Sequence, residues 1–315
     1  MGADKPVEVT AAPTGGISRA AGMELELLGA PEPAASTQWA LFWRRFLRHR
    51  MAVISALVLI LLFVVCFGAQ WIAPYGKNHQ NLLIGAVGPS GAHWFGTDEL
   101  GRDQLTEILY AGQISLKIGL SVALIATVVG TWLGALAGFF GKMSEQVLMR
   151  ITDLFLVVPS IAILAIAIKK FGSDSTTIVL ILAGLGWMYI ARVVRGQVLS
   201  IKEKEFVEAA RASGASSGRI IARHILPNVV GPILVNATLG IAAAIVTEST
   251  LSFLGFGVQP PTTSWGRMLS DARGTVGTNK AHLIYFPGLA LLVTVLAVNF
   301  IGDGLRDAFD PQSRR

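Results

Sequence analysis

Long apolar runs separated by shorter polar intervals dominate the pattern along the chain. The first run, residues 51–73, carries no charged residue. At about 1.5 Å per residue, a helix of that length crosses the hydrocarbon of a bilayer. The pattern predicts six such helices, over residues 51–73, 114–140, 147–168, 176–191, 229–247 and 283–301. We therefore expect an all-α integral membrane protein with six transmembrane helices.

Two of these runs have features that change the expected helix. Pro159 lies inside the third run and is expected to kink its helix, because proline lacks an N–H and its ring crowds the preceding turn. The fourth run is short, since Arg192 and Arg195 follow it directly. Its helix is expected to continue past both arginines.

Glycines recur every four residues in the second run, at Gly130, Gly134 and Gly138. This spacing places all three on one helical face, which therefore lacks side chains. Another helix can approach such a face closely. The stripe predicts tight helix packing, either inside this subunit or against a partner subunit.

Composition agrees with a membrane protein and excludes other classes. Of the 315 residues, 52% are hydrophobic and only 15% are charged, which is too apolar for a soluble domain of this size. The net charge of +6 comes from basic residues scattered at the ends of apolar runs, without a basic block with interleaved aromatics. This distribution argues against nucleic acid as a partner and for membrane lipid.

The distribution of lysine and arginine predicts the orientation. With six spans both termini lie on one side, and 18 of the 26 basic residues fall on that side. The positive-inside rule then places both termini in the cytoplasm of a multi-pass protein of the cell membrane. The predicted divisions are a disordered tail over 1–38, a first helix with its interfacial segment and outer loop over 39–113, a core over 114–302, and a C-terminal tail over 303–315.

The polar interval 203–228 lies between the fourth and fifth runs, on the predicted cytoplasmic side. Good helix formers predict a first short helix. Its small apolar face would comprise Phe206, Ala209, Ala210 and Ser213. Gly214 then permits a reversal of the backbone. A second helical stretch follows, and Pro227 is expected to prevent its simple continuation. Ile220, Ile221 and Ile225 would form the apolar side of that stretch, with Arg211, Arg219 and Arg223 around it.

This interval resembles the EAA loop of ABC importer membrane subunits, in which EAA is followed by Gly and then by a terminal LP. The matching residues are Glu208, Ala209, Ala210, Gly214, Leu226 and Pro227. His224 stands where the general form has Ile, and the resulting HILPN is typical of members that handle peptides. The resemblance implies that the loop, with Arg211 and His224, is a coupling helix seated in a cleft of a cytoplasmic ATPase subunit. An interfacial helix without a partner is the alternative interpretation.

Further motifs place the chain near C-type permeases of the dipeptide and oligopeptide import family. They are FGTDELGRD at 95–103, MR-x-x-D at 149–153, LSFLGFGVQPP at 251–261 with SWG at 264–266, and NFIGDGLRDAFDP at 299–311. The resemblance implies the ABC type I importer permease fold. It also implies three kinds of partner: a B-type permease in a heterodimer, two ATP-binding subunits, and an extracytoplasmic substrate-binding protein.

The chain lacks the sequence features of an ATPase or a metalloenzyme. Neither Gly-Lys pair, at Gly76 or Gly141, has the spacing of a phosphate-binding loop. The single cysteine, Cys66, lies in an apolar run, and the five histidines show no metal-ligand spacing. We therefore expect no catalytic residue, metal or cofactor in this chain, with ATP and Mg²⁺ bound by the partner subunits.

Glu248 is an ionisable residue at the outer end of the fifth run. Such a group within or near hydrocarbon is costly unless it is paired or hydrated, and it often marks a functional site. Glu248 could line the translocation path and meet the ammonium group of a peptide. Alternatively, it lies at the interface and caps a short helix over 249–254.

Two questions stay open on the sequence alone. A self-sufficient ion-coupled transporter is the rival from another functional class, although it would call for paired acidic or broken spans near the midplane. An intramembrane enzyme is disfavoured by the scattered histidines and the single cysteine. The substrate is also open, since relatives with this layout import peptides, nickel complexes, glutathione or haem.

Overall fold

The computed structural model describes residues 38–77 and 79–309. Most of the N-terminal tail predicted over 1–38 lies outside these residues. All packing described below is within residues 44–309. The helices, in chain order, are α1 (Gln38–Arg48), α2 (Arg50–Phe67), α3 (Ala69–Ile72), α4 (Gln104–Phe140), α5 (Lys142–Val157), α6 (Ser160–Phe171), α7 (Ser175–Ile201), α8 (Glu205–Ala212), α9 (Ser217–Ile220), α10 (Leu226–Phe253), α11 (Trp265–Asp271) and α12 (His282–Phe309). A π-helical turn, Ile221–Ile225, joins α9 to α10, and a 3₁₀ turn, Arg273–Thr275, follows α11.

Within the described residues, five helical segments are long and apolar enough to cross a membrane. They are α2, α4, α7, the segment Ser217–Phe253 that ends with α10, and α12. The third predicted span, 147–168, is a pair of helices, α5 and α6, bent by 84°. Pro159 lies at this bend, so the predicted kink is a complete break between two helices. Counted with this pair, the structure confirms the predicted all-helical fold with six spans.

Helix α7 continues to Ile201, past both arginines, as the sequence predicts. The arginines are accommodated because each pairs with a carboxylate of α5. Arg192 pairs with Asp153, and Arg195 pairs with Glu145. These partly exposed ion pairs join α5 to α7 while leaving the cationic heads accessible to water.

The first part of the C-terminal tail predicted over 303–315 is helical and belongs to α12. Helix α12 runs to Phe309, and the rest of the predicted tail, residues 310–315, lies outside the described residues. The reason is close packing against two other helices. A Cβ added to Gly304 would lie 2.3 Å from the Cβ of Ala52 on α2, and one added to Gly231 on α10 would lie 2.8 Å from the ring of Phe309.

Helix α4 begins at Gln104, ten residues before the apolar run at 114. Asp103 caps it, accepting hydrogen bonds from the backbone N–H and the hydroxyl of Thr106, both at 2.9 Å. His93 Nδ1 lies 2.9 Å from the other carboxylate oxygen of Asp103. The Asp103 side chain is only 1% exposed. This cap therefore explains the end of the FGTDELGRD motif as a structural element that starts α4.

Replacing Asp103 with Ala is expected to lower the free energy of unfolding by about 2 kcal/mol, because it removes a buried cap and leaves the Thr106 N–H without its acceptor. Asp103→Asn, which keeps one carbonyl oxygen for the cap, should cost less. Thermal unfolding of the purified protein in detergent measures both.

A matched control is Asp174→Ala on α7. Asp174 also caps its helix, accepting hydrogen bonds from the N–H groups of Thr176 and Thr177, but it is exposed.

Hydrogen bonds from Thr177 lower the pKa of the Asp174 carboxyl. Its contribution is therefore present above the ordinary carboxyl pKa and is lost as the pH falls through the lowered value. Equal losses of stability in the Asp103→Ala and Asp174→Ala variants would contradict the expectation that the buried cap at Asp103 contributes more than the exposed cap at Asp174.

Candidate coupling site

Residues 203–228, called the hairpin below, form α8, a tight turn and the start of a second helical segment. The turn follows from Gly214, whose φ is +77°. Its N–H donates to the Arg211 carbonyl at 3.0 Å, and the N–H of Ala215 donates to the Ala210 carbonyl at 3.1 Å. These two bonds are those of a Schellman motif, in which glycine adopts the left-handed conformation that other residues adopt at a cost.

Buried apolar side chains attach the hairpin to the helical core. Val207 is completely buried in α8, and Ile220, Ile221 and Ile225 are at most 2% exposed. They share one cluster with side chains of α4 and α7, including Ala135, Ile190, Val194 and Val198. The apolar side predicted for the second segment is therefore the side that is buried.

The apolar face predicted for the first helix is different in the structure. Val207 is the buried residue of α8, and Ala210 is partly buried beside it. Phe206 is 43% exposed, and Ala209 and Ser213 are exposed as well. The face of α8 that carries Phe206 and Ala209 is therefore free, within the described chain, to contact another molecule.

The second segment continues into α10, but not as one regular α-helix, in keeping with the expectation that Pro227 prevents its simple continuation. The turn before the proline is π-helical, with the Leu226 N–H donating to the Ile221 carbonyl. Pro227 falls in the first turn of α10, where its missing N–H is tolerated. The side-chain amide of Asn228 donates to the His224 carbonyl at 2.7 Å and satisfies one acceptor of the disturbed turn. The second segment of the hairpin is thus a continuous helical extension of α10.

The outward surface of the hairpin carries most of the eight residues predicted to couple the permease to an ATPase. Glu208, Ala209, Arg211, Gly214 and Pro227 are exposed. The remaining three, Ala210, His224 and Leu226, are partly buried. The surface therefore combines the small residues Ala209 and Gly214 with the charged side chains of Glu208 and Arg211.

The basic residues of the hairpin have no ionic partner inside the described part of the chain. Arg211, Arg219 and Arg223 are all exposed. None of the ion pairs found among the described residues involves these three arginines. Their positive charge is accordingly available to an acidic partner surface.

Comparison with known proteins identifies the family. Residues 130–315 match the family described as binding-protein-dependent transport system inner membrane component, and residues 37–86 match the N-terminal TM domain of oligopeptide transport permease C. The chain is a permease of the binding-protein-dependent ABC importer family.

Curated relatives align with nearly their whole length. The permease is 40% identical over 282 residues to the glutathione transport system permease protein GsiD of Pectobacterium atrosepticum, covering 89% of this chain and 93% of that protein. It is 42% identical over 274 residues to the oligopeptide transport system permease protein OppC of Mycobacterium tuberculosis, covering 86% and 94%. A solved structure of the MetNI methionine ABC transporter in an inward-facing conformation matches with a TM-score of 0.52 and 23% identity, over 65% of this chain and 97% of that one. This last likeness shows the type I permease fold.

The glycine stripe of the permease packs inside the subunit. A Cβ added to Gly130 would lie 2.6 Å from the Trp187 carbonyl oxygen, and one added to Gly134 would lie 2.4 Å from that of Ala191. One added to Gly138 would lie 2.9 Å from the Cβ of Val198. All three glycines therefore face α7, and their missing side chains allow the two helix backbones to meet.

A cavity of about 490 Å³ lies between α4, α6, α7 and α10 of the permease. Its lining contains hydroxyl and amide groups but no charged side chain. The hydroxyl of Thr127 is buried there without a hydrogen-bond partner among the described residues. The polar lining residues are Thr127, Ser160, Tyr189, Asn236 and Thr247. Sequence reasoning missed them, and the one available signal was an amide, Asn236, in the middle of an apolar run.

Glu248 does not line this cavity, although its neighbour Thr247 does. Its side chain is completely buried among serine side chains. The alternative role as the cap of a short helix over 249–254 is wrong, because α10 continues to Phe253 and Glu248 lies inside it. No group of three or more potential metal ligands occurs within the described residues.

Proposed function

We propose that this permease forms part of the translocation path of an ATP-driven importer of short peptides. It works with a B-type permease, two ATP-binding subunits and an extracytoplasmic substrate-binding protein. The hairpin carries the proposal, because it has an exposed surface and is continuous with a membrane-spanning helix. The bias of basic residues supports a cytoplasmic position for it, where an ATPase subunit can reach it.

The proposed mechanism is alternating access. Closure of the ATPase dimer on ATP carries the hairpin with it, and α10 moves as its extension. ATP can shift the equilibrium between the two states of the bundle only by as much as its affinity differs between those states. Moving a population from 1:99 to 99:1 takes about 5.5 kcal/mol, which is within reach of such closure. This chain supplies the moving element and no catalytic group.

The substrate class rests on the relatives and on the cavity. The relatives named above are oligopeptide and glutathione permeases, and glutathione is itself a tripeptide. A lining with hydroxyls and an amide but no charge can accommodate the peptide backbone without trapping any one charged side chain. We infer short peptides, including γ-glutamyl peptides, as cargo rather than nickel complexes or haem.

Reconstitution into proteoliposomes tests this function. With all partner subunits, binding protein and internal ATP, the complex should take up a labelled tripeptide. The permease alone, placed under a proton or sodium gradient, should take up none. Uptake by the permease alone would instead establish an ion-coupled transporter.

Blocking the cavity should stop uptake without disturbing the fold. A Cβ added to Gly240 would meet only the Cβ of Ala123, at 3.8 Å, and Gly240 lines the cavity, so Gly240→Leu adds side-chain bulk at the cavity wall. We expect uptake to fall at least about tenfold, since a leucine occupies a substantial share of the path. Gly184→Leu on α7 is the control, because Gly184 has open space around it and does not line the cavity. Unchanged uptake in the Gly240→Leu complex would remove the cavity from the path.

A further inference from the structure

Glu248 makes its strongest hydrogen bonds to two serines from different segments. Its Oε1 accepts from the hydroxyl of Ser252 at 2.7 Å and from that of Ser264 at 2.8 Å. The hydroxyl of Ser249 lies 3.5 Å from Oε2. Glu248 takes part in none of the ion pairs found among residues 38–77 and 79–309. The group is therefore satisfied by hydroxyl donors rather than by a cation.

Both serine hydroxyls also accept hydrogen bonds from backbone N–H groups that follow α10 in the chain. The Val258 N–H donates to Ser252 Oγ at 3.3 Å, and the Arg267 N–H donates to Ser264 Oγ at 3.2 Å, which caps α11. A hydroxyl has one proton and two lone pairs. Because each proton is directed to Glu248, the lone pairs are left for these N–H groups. Glu248 thereby orients both hydroxyls.

The segment 254–264, called the loop below, approaches α10 as closely as glycine allows. A Cβ added to Gly257 would lie 1.8 Å from Ser252 Oγ, and one added to Gly266 would lie 2.4 Å from the Cα of Ser249. Val258 and Trp265 are 1% and 0% exposed. Gly257, Gly266, Ser252 and Ser264 of the motif at 251–266 thus serve one contact, the seating of the loop and α11 on α10.

We propose that Glu248, Ser252 and Ser264 form a clamp that makes the loop and α11 move as one body with α10. Glu248 is a positioning residue that acts as a hydrogen-bond acceptor, and its charge is not required. Helix α10 carries the hairpin at one end and the clamp near the other, over about 40 Å for its 28 residues. Displacement of the hairpin would therefore reach the loop directly. This last step rests on the proposed function, whereas the clamp itself does not.

Amide hydrogen exchange of the loop, measured on the full complex in nanodiscs without nucleotide, tests the clamp. Glu248→Ala removes the acceptor and should speed exchange of the loop by about tenfold, because local opening no longer breaks these bonds. Glu248→Gln keeps a carbonyl oxygen and should stay within about twofold of the wild type. In the reconstituted importer, peptide uptake should be retained by Glu248→Gln and lost by Glu248→Ala.

Ser270→Ala is the matched control. The Ser270 hydroxyl donates to the Phe253 carbonyl at 3.1 Å, beside the loop but outside the clamp, and the residue is partly exposed. It should leave exchange unchanged. Ser264→Ala removes one donor and should speed exchange, which keeps the test decisive if Glu248→Ala does not fold.

Two results would overturn the clamp. One is loop exchange that is equally accelerated in Glu248→Gln and Glu248→Ala, which would mean that the charge is what matters. The other is unchanged loop exchange in both Glu248→Ala and Ser264→Ala. Neither depends on ATP, so failure of the clamp is distinguishable from failure of the importer function, which would show as absent uptake by the wild-type complex.

Discussion

Replacing Gly134 with Leu is expected to prevent the permease from folding stably. The Cβ alone would lie 2.4 Å from the carbonyl oxygen of Ala191 and 3.0 Å from its Cα, both of which belong to the backbone of α7. A backbone cannot rotate away as a side chain can, so α4 and α7 would have to separate. We expect a loss of about 3 kcal/mol or more, a large part of the stability of an ordinary domain. The yield of monodisperse protein and its thermal midpoint in detergent measure this loss.

Gly196→Leu on α7 is the control for this prediction. Gly196 is exposed, and a Cβ added there meets nothing within 4 Å. The same substitution should therefore change the thermal midpoint little. If both variants were equally stable, the contact between α4 and α7 would not depend on the glycine stripe.

Gly214→Pro is expected to abolish stimulation of ATP hydrolysis in the assembled complex while leaving membrane insertion intact. Proline fixes φ near −65°, whereas Gly214 has φ +77°. Proline also removes the N–H that donates to the Arg211 carbonyl. The turn would open and α8 would lose its orientation relative to α10. Hydrolysis by the full complex, with and without loaded binding protein, is the measurement.

Gly214→Ala should show a smaller effect of the same kind, because the left-handed conformation costs a residue with a Cβ roughly 1–2 kcal/mol. Gly218→Ala is the control, since Gly218 also has open space around it but has an ordinary helical φ. It should behave as the wild type. Full stimulation in the Gly214→Pro complex would show that the hairpin turn has no part in coupling.

The hydropathy pattern predicted the membrane spans because a helix in hydrocarbon must be apolar over its whole length. Local chemistry was equally informative where a single residue determines the local backbone conformation. Gly214 predicted the reversal in the hairpin, and Pro159 predicted an interruption of the third span. Pro227 was expected to prevent a simple continuation of the second segment, but no local rule indicated that a π-helical turn before it would join that segment to α10. Contact of the hairpin with an ATPase subunit stays a prediction.

The sequence by itself determined the number of spans, the family and the residues of the hairpin, since these follow from composition and from motifs that are continuous along the chain. Only the tertiary structure decided which surfaces meet. It placed the glycine stripe against α7, turned Val207 rather than Phe206 inward, and surrounded Glu248 with serines, one of them sixteen residues away. Some of these contacts join residues that are distant in the chain, and others depend on how a helix is rotated about its axis. Hydrophobic periodicity predicts neither the distant contacts nor the exact rotation.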